Sequence, residues 1–276
     1  MIRRLKFLIF LLIFFLFLDR NIALAGKLLD RVNQFPAWDQ KPPTQVAQGD
    51  LIYPDWIAGE WQVTSTLVEM VAPLAPEIVT PGFAGNRKYL DQPIQFNVRF
   101  QPNQTLKSNQ FLPKIVINAS QEIVADRAFN GLNIAQATLG KAAIRGVKVD
   151  PNNPNRQIVT LRGKQKTSED PQLISTVTQR ASETPETDQF IATEIVQQIF
   201  QGESTIYLNE VETTTAYQAE FNKTTDPQHP SVITANQITA IYLSPQDPNY
   251  FKTQFRPVAL YRYQLTLLPF SASPRS

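Results

Sequence analysis

From Trp56 onward the chain alternates short runs of Val, Ile, Thr, Tyr and Phe with clusters of Pro, Asn, Gly and Asp. Runs of β-branched and aromatic residues bounded by turn-forming residues are typical of strands. The pattern predicts strands over residues 60–71, 94–101, 114–118, 121–129, 142–149, 156–163, 172–182, 189–201, 203–219, 232–243 and 257–269. The turn of residues 150–155 and the glycine at position 202 mark the clearest breaks between them.

Helix is predicted in only two places. Leu28, Leu29 and Val32 share one helical face, and the prolines that follow stop the helix. Residues 26–55 are therefore interpreted as a short helix and a Pro-rich lead. A second short helix is predicted between Phe129 and Gly140.

Regularly spaced strands with little helix are typical of a β-sandwich or a β-barrel. Several of the predicted strands, such as 203–219, exceed the usual five or six residues. Closing such a sheet removes its exposed edges. We therefore predict an all-β fold, a closed antiparallel up-and-down β-barrel of about eight to ten strands, with a β-sandwich as the alternative.

Residues 1–25 have the pattern of a signal peptide. Basic residues precede an apolar run from Phe7 to Leu18, and Ala23-Leu24-Ala25 provides small residues for cleavage after Ala25. The apolar run would rise only about 18 Å as a helix, less than a bilayer requires, so an uncleaved anchor is the less favoured alternative. The mature chain would then comprise the lead, one barrel domain over 56–270 without a transmembrane segment, and a flexible tail over 271–276.

Composition excludes several functions. The chain has no cysteine and one histidine, which excludes thiol catalysis and the usual Cys/His zinc sites. Without residues 1–25 the chain is nearly neutral and has no basic run, so no nucleic-acid partner is predicted. We find no catalytic constellation and predict no enzyme activity, no metal and no cofactor.

Gly59 and Trp61 open the first long strand. A glycine there permits a backbone conformation that a Cβ disfavours, and Trp61 would fill the closed end of a barrel. Arg262 is the one charged residue between Pro257 and Leu268 in the last strand. We predict that Arg262 packs over the Trp61 indole, so that Gly59, Trp61 and Arg262 lock the barrel; an outward, solvated Arg262 is the alternative.

Arg127 follows Asp126 in a predicted strand, where one of the two side chains points inward. An inward arginine needs a buried carboxylate or carbonyl partner, so Arg127 is a candidate for a buried tether, with ligand anchoring as the alternative. Glu210 and Glu212 share a strand face at a spacing near that of paired carboxylates in some glycosidases. Solvated side chains are the favoured interpretation of that pair.

Two resemblances add to these predictions. Gly59 and Trp61, with Arg262 on the last strand, resemble the lipocalin and calycin signature. The segments YPDWIAGEWQVTSTL, EIVADRAFNGLNI, ITAIYLSPQDPNYF and RPVALYRYQLTLLP resemble an uncharacterised family of cyanobacteria and plant chloroplasts. The second resemblance implies the thylakoid lumen or the periplasm and transfers no catalytic residue.

Two functions remain open. The first is a lipocalin-like protein that binds a small apolar or amphipathic ligand, such as a lipid, a carotenoid or a tetrapyrrole. A concave, mostly apolar site with few polar contacts needs no catalytic group. The second is a lumenal interaction or assembly factor beside photosynthetic membranes, with a protein partner in place of a ligand. The residues that would contact a ligand are not predicted by the sequence.

Overall fold

The structure, a computed structural model, describes residues 26–80, 82–103, 122–163, 170–202, 206–222 and 226–270. The predicted signal peptide (1–25), the predicted strand over 114–118 and the predicted tail (271–276) lie outside these residues.

Strands dominate the described part of the chain. The strands are β1 (Gln45–Val46), β2 (Gly59–Val71), β3 (Pro93–Pro102), β4 (Ile123–Ala125), β5 (Ile144–Asp150), β6 (Asn153–Leu161), β7 (Gln172–Glu183), β8 (Gln189–Gln201), β9 (Ile206–Asn222), β10 (Asp226–Leu243) and β11 (Ala259–Pro269). The α-helices are α1 (Lys27–Asn33) and α2 (Arg127–Leu139). The all-β class is thereby confirmed.

The strands form one antiparallel sheet in the order β4-β3-β2-β11-β10-β9-β8-β7-β6-β5, and β1 pairs with β7. Neighbours along the chain pair with each other from β5 to β11, and the first long strand, β2, pairs with the last, β11. The sheet is strongly curled into a half-barrel, but the barrel is not fully closed. Its two end strands, β4 and β5, are not paired with each other.

Helix α2 lies at the gap in the ring, where it contacts β3, β5 and β6. The predicted strand over 121–129 is wrong beyond Ala125, because Asp126 caps a helix: its carboxylate accepts the backbone N–H of Phe129 (3.1 Å). The short β4 therefore gives way to helix before it could pair with β5. The sheet therefore remains open between β4 and β5, where α2 lies.

The concave face of the sheet carries an aromatic core. The Tyr53 ring lies 4.8 Å from Phe100 in β3 and 5.4 Å from Phe190 in β8, between ring centroids. Strands so far apart in the sheet order meet only across the inside of a curled sheet. Trp61 and Ile233 belong to the same buried cluster, which places them on this concave side.

The convex face is covered by α1 and the residues that follow it. Leu28 and Val32 pack with Trp38 against Ile238 and Leu260. The helix therefore buries the apolar face that the sequence predicts, and it does so on the outside of the half-barrel.

Candidate functional site

Two rows of side chains cross the concave face at right angles to the strands. In an antiparallel sheet, directly paired residues project to the same side, so the register defines each row. The first row is Arg180, Glu194, Thr213, Thr239 and Tyr261. The second row is Ala192, Thr215, Gln237, Tyr263 and Leu67. Together these rows form a belt, mostly polar, across the middle of the concave face, which we call the polar belt.

The polar belt contains hydrogen-bonding groups that have no partner among the described residues. Gln237, Thr239 and Tyr263 are each half-buried. Thr215 donates to the amide oxygen of Gln237 (3.4 Å), but no described residue pairs with the Gln237 amide nitrogen or with the Tyr263 hydroxyl. Burial, and secondarily the charge of Tyr261, raises the pKa of Tyr263 to about 12. The Tyr263 hydroxyl is therefore a donor throughout the neutral range.

Apolar side chains flank the polar belt on both sides. At one side, Phe190 and Tyr217 stack beside Tyr53, with ring centroids 5.4 to 6.4 Å apart. We call these three rings the aromatic zone. Val196 and Val211 pair on the other side. A surface with a polar stripe between two apolar zones matches a ligand that is itself partly polar.

Two buried donors beside the aromatic zone have no partner among the described residues. They are the indole nitrogen of Trp56 and Nε of Arg180. Trp56 packs against Phe190 and Ala192, next to the polar belt. Buried polar groups are nearly always hydrogen-bonded. A buried donor without a partner is therefore a position where an acceptor atom that does not belong to the described residues would bind.

One end of the polar belt is held by a network of charges around Arg127, the first residue of α2. Arg127 donates to Asp50 (Nε–Oδ1, 2.7 Å) and to Glu194 (Nη2–Oε1, 2.9 Å). Glu194 also contacts Arg180 (3.2 Å), which in turn donates to Asn155. Burial opposes the charge of Arg127, but Glu194 and Asp50 outweigh that effect and raise its pKa. Arg127, for which the sequence predicts an inward carboxylate partner, thus joins α2 to β8 and to the N-terminal lead.

Helix α2 makes two further polar contacts with the sheet. Asn130 accepts from the backbone N–H of Arg99 (2.7 Å) and donates to its carbonyl (3.1 Å). The Gln157 amide donates to the carbonyl of Arg127 (2.6 Å) and passes directly over Gly131. The helix is therefore attached to both sides of the gap in the barrel.

Gly59 and Trp61 occupy the start of β2. Gly59 has φ of 123°, a left-handed conformation that a side chain disfavours. Trp61 is buried on the concave face and donates its indole N–H to the carbonyl of Ile57 (2.8 Å).

Arg262 does not reach Trp61, which corrects the predicted contact between them. Arg262 pairs in register with Glu69, whereas Trp61 pairs with Pro269, so about 25 Å of strand separates the two. The two side chains also lie on opposite faces. Arg262 projects from the convex face, donates to Asn236 (3.1 Å), and lies 5.6 Å from the Phe35 ring centroid. The register of β2 with β11, which the sequence does not specify, separates them.

The carboxylates Glu210 and Glu212 are both engaged on the convex face. Glu212 is fully buried and accepts two hydrogen bonds from Arg31 of α1 and one from Tyr242 (2.8 Å). Glu210 forms an ion pair with Lys41 (2.6 Å). A carboxylate held by an arginine on both oxygens supports structure and has no open oxygen for acid–base chemistry. Sequence reasoning missed Arg31. The available signal was its position in the predicted helix, next to Val32 on the face predicted to be apolar.

Neither a metal centre nor a spanning helix is found in the part of the chain that the structure describes. No group of three or more His, Cys, Asp or Glu side chains there is arranged to hold a metal ion. No helix there combines the length and apolar character needed to cross a bilayer.

Residues 45–271 match the family described as Domain of unknown function (DUF6816). The match covers most of the chain, from β1 to beyond β11, and the chain belongs to this family. Helix α1, Arg31 and Trp38 precede the matched region. No curated protein and no solved structure matches the chain.

Proposed function

We propose that this DUF6816 protein is a non-enzymatic, lipocalin-like binding protein whose concave face holds a small apolar or amphipathic ligand. The observation that supports this function most directly is the polar belt. The Gln237 amide nitrogen and the Tyr263 hydroxyl in this belt have no partner among the described residues, and apolar side chains lie on both sides of the belt.

The chemistry of the belt favours an amphipathic ligand with an acceptor group. Tyr263, the Gln237 amide and the Trp56 indole all offer N–H or O–H donors. A carbonyl, carboxylate or hydroxyl oxygen would accept from them, while a chain or ring system would contact Val196, Val211 and the aromatic zone. Lipids, carotenoids with oxygen substituents and tetrapyrroles all have this character.

The start of β2 supports the comparison with lipocalins. The left-handed Gly59 and the buried Trp61 with its carbonyl partner are the features that the Gly-x-Trp resemblance implies. The Arg262 part of that signature has a different role in this protein. The lipocalin likeness therefore rests on Gly59, Trp61 and the curled sheet.

We propose the thylakoid lumen or the periplasm as the location of the protein. This is supported by the signal-peptide pattern of residues 1–25 and by the resemblance to the cyanobacterial and chloroplast family. N-terminal sequencing of the protein purified from its own host tests the proposal. A mature chain that begins at Gly26 is expected, and a chain that retains Met1 or Ile2 in the cytosolic fraction contradicts it.

The ligand proposal is tested with protein purified from its own host, by native mass spectrometry and absorption spectroscopy. We expect a bound molecule whose mass adds to that of the polypeptide. In Tyr263→Phe and Gln237→Leu, each of which removes one donor from the belt, occupancy should fall about tenfold, because a buried partner is then left unpaired.

Gln264→Leu is the matched control for Gln237→Leu. Gln264 lies in β11, is exposed, and projects from the convex face opposite Asn236. Occupancy should stay at the wild-type level in this variant. A protein that carries no bound molecule, or that loses it equally in Gln237→Leu and Gln264→Leu, contradicts binding at the concave face.

A further inference from the structure

Exposed apolar side chains concentrate at one rim of the half-barrel. This rim, which we call the Phe251 rim, is formed by the ends of β2, β8 and β10 and by the starts of β9 and β11, which the register places side by side. Six of the twelve large apolar residues that are exposed in the described part of the chain belong to it. They are Val79, Tyr89, Ile206, Tyr207, Phe251 and Phe255.

The connection from β10 to β11 presents two of these side chains in a fixed arrangement. Phe251 is 80% exposed and Phe255 is 58% exposed, and both rings contact Tyr250, at 5.2 and 5.6 Å between centroids. The loop beneath them is anchored by Thr253, which is buried and donates to the carbonyl of Tyr250 (2.7 Å). The two rings are therefore exposed from an ordered turn.

The backbone of this turn is strained. Gln254 and Phe255 have φ of 52° and 64°, and two consecutive non-glycine residues in the left-handed region are uncommon. Such strain persists only where the surrounding structure maintains it, and it occurs preferentially at functional positions. Here it directs a phenylalanine toward solvent, where the ring gains nothing from the fold.

Charge divides the two rims. Exposed or half-exposed cations of the Phe251 rim outnumber its carboxylates in the described residues. The cations are Arg87, Lys88, Lys141, Arg162, Lys252 and Arg256, and the carboxylates are Glu77, Asp91, Asp170 and Asp247. The opposite rim carries the carboxylates Asp55, Glu122, Glu186, Asp188 and Glu220. Among the described residues, the Phe251 rim is thus the more basic end and the opposite rim the more acidic one.

The cations nearest the two phenylalanines are available to a partner. Lys252 donates to Asn249 (3.2 Å) and Arg256 to the carbonyl of Thr253 (3.3 Å), and neither forms an ion pair with a described residue. An open cleft of about 590 Å³ lies beside them, lined by Pro73, Leu74, Glu77, Ile78, Lys252 and Arg256. Lys252 and Arg256 would attract an anionic headgroup at this cleft, where Glu77 is the one carboxylate of the lining, and Pro73, Leu74 and Ile78 would contact an acyl chain.

We propose that the Phe251 rim docks on the surface of an anionic lipid bilayer, with Phe251 and Phe255 inserted among the headgroups. Aromatic side chains concentrate at the membrane interface, and basic residues near the surface are attracted to anionic lipids. The acidic opposite rim would then face away from the bilayer. This proposal does not depend on the ligand of the concave face.

Vesicle flotation with the chain from Gly26 onward, which lacks the predicted signal peptide, tests the proposal. The vesicles contain phosphatidylcholine alone or phosphatidylcholine with phosphatidylglycerol. We expect binding to the mixed vesicles that weakens as salt is added, and little binding to phosphatidylcholine alone. The double variant Phe251→Ser/Phe255→Ser should bind at least about tenfold more weakly, because two apolar rings no longer leave water.

Matched variants distinguish insertion of the two phenylalanine rings from nonspecific adsorption to the vesicles. Leu268→Ser/Phe270→Ser removes two exposed apolar side chains near the end of β11, away from the Phe251 rim, and should bind like the wild type. Phe251→Trp should bind at least as tightly as the wild type, because Trp favours the interface. Lys252→Glu/Arg256→Glu should lose binding to the mixed vesicles.

Three outcomes overturn the proposal. One is equal binding by the wild type and the Phe251→Ser/Phe255→Ser variant. Another is equal binding to vesicles with and without phosphatidylglycerol. The third is absence of binding to the mixed vesicles. If the rim then cross-links to a protein from the host membrane, that result assigns the rim to a protein partner. All of the substituted side chains at the loop are exposed or half-exposed, so circular dichroism should confirm an unchanged fold.

Discussion

Arg31 and Glu212 are joined by two hydrogen bonds, Nε–Oε1 at 2.6 Å and Nη2–Oε2 at 2.7 Å, on the convex face of the sheet. Tyr242 donates a third hydrogen bond to the same carboxylate, and the Trp38 ring lies 3.7 Å from the guanidinium. This buried pair joins the N-terminal helix to the middle of the sheet. It fixes where α1 docks, because the charges can be satisfied in one place only.

Removing the charge of Glu212 should therefore be costly. In Glu212→Gln the guanidinium of Arg31 stays buried with a neutral partner, and we expect a loss of about 3–5 kcal/mol in the free energy of unfolding. Urea denaturation followed by circular dichroism measures it. Glu210→Gln is the matched control on the same strand face; its more exposed pair with Lys41 should contribute less than about 1 kcal/mol. Equal losses in the two variants contradict this role of Arg31.

Substitutions at Trp61 and Arg262 should have independent effects on the free energy of unfolding. Trp61→Ala removes a large buried side chain and should cost about 3–5 kcal/mol, whereas Arg262→Ala should cost less. Because the two lie far apart on opposite faces, their losses should add to within about 0.5 kcal/mol in a double-mutant cycle. Arg262→Ala and Phe35→Ala should instead couple, since those side chains contact each other. Coupling between positions 61 and 262 contradicts the register of β2 with β11.

Substitutions at Gly131 and Gln157 should have coupled effects on stability, because the Gln157 side chain occupies the space beside Gly131. A Cβ at position 131 would lie 2.2 Å from the Gln157 amide nitrogen, which donates to Arg127. Gly131→Ala alone gains helix propensity but displaces that hydrogen bond, so its net effect on the free energy of unfolding should be near zero. In the Gln157→Ala background the same substitution should stabilise by about 1 kcal/mol. Thermal and urea denaturation of all four proteins measure the coupling, and additive effects contradict the contact.

Stability should fall at alkaline pH. Burial is the main cause that raises the pKa of Tyr217 to about 12 and that of Tyr263 to about 12 as well. The native state thus keeps these protons when the unfolded chain, with tyrosine pKa near 10, has released them. The unfolded state then binds fewer protons, so the free energy of unfolding decreases as pH rises from about 10 to about 12. Below about pH 10 the stabilisation from these two tyrosines is fully present.

The variant Tyr217→Phe tests this dependence. Its free energy of unfolding should fall by about 2 kcal/mol less than that of the wild type over the same interval. Urea denaturation at a series of pH values provides the measurement. Identical slopes for the two proteins mean that Tyr217 does not keep its proton in the native state.

The sequence predicts the strands well where local signals decide them. β8 spans Gln189–Gln201 and β7 spans Gln172–Glu183, within one residue of the prediction, because turn residues bound each alternating run. The hairpin between β5 and β6 lies within the predicted break at 150–155. The early end of β4 is different: Asp126 can continue a strand or cap a helix, and only tertiary packing selects the cap.

The candidate site is much less accessible to sequence reasoning. Glu212 pairs with Arg31 across 181 positions, and Arg127 with Glu194 across 67. Such pairs depend on which strands are neighbours and on their register, and neither is encoded locally. The polar belt is likewise a property of six strands aligned side by side, β7, β8, β9, β10, β11 and β2. Thr239 or Gln237 alone is indistinguishable from any polar residue of a strand.

The pairing of β2 with β11 has a consequence for the timing of folding. Trp61 pairs in register with Pro269, so the two ends of the domain must meet to complete the sheet. Contacts between segments so distant along the chain form slowly, since a very large loop has to close first. A polypeptide that emerges from its N-terminus cannot complete this seam until its last strand is synthesised. A chain truncated before Ala259 should remain sensitive to proteases, with β2 and β10 exposed as unpaired edges.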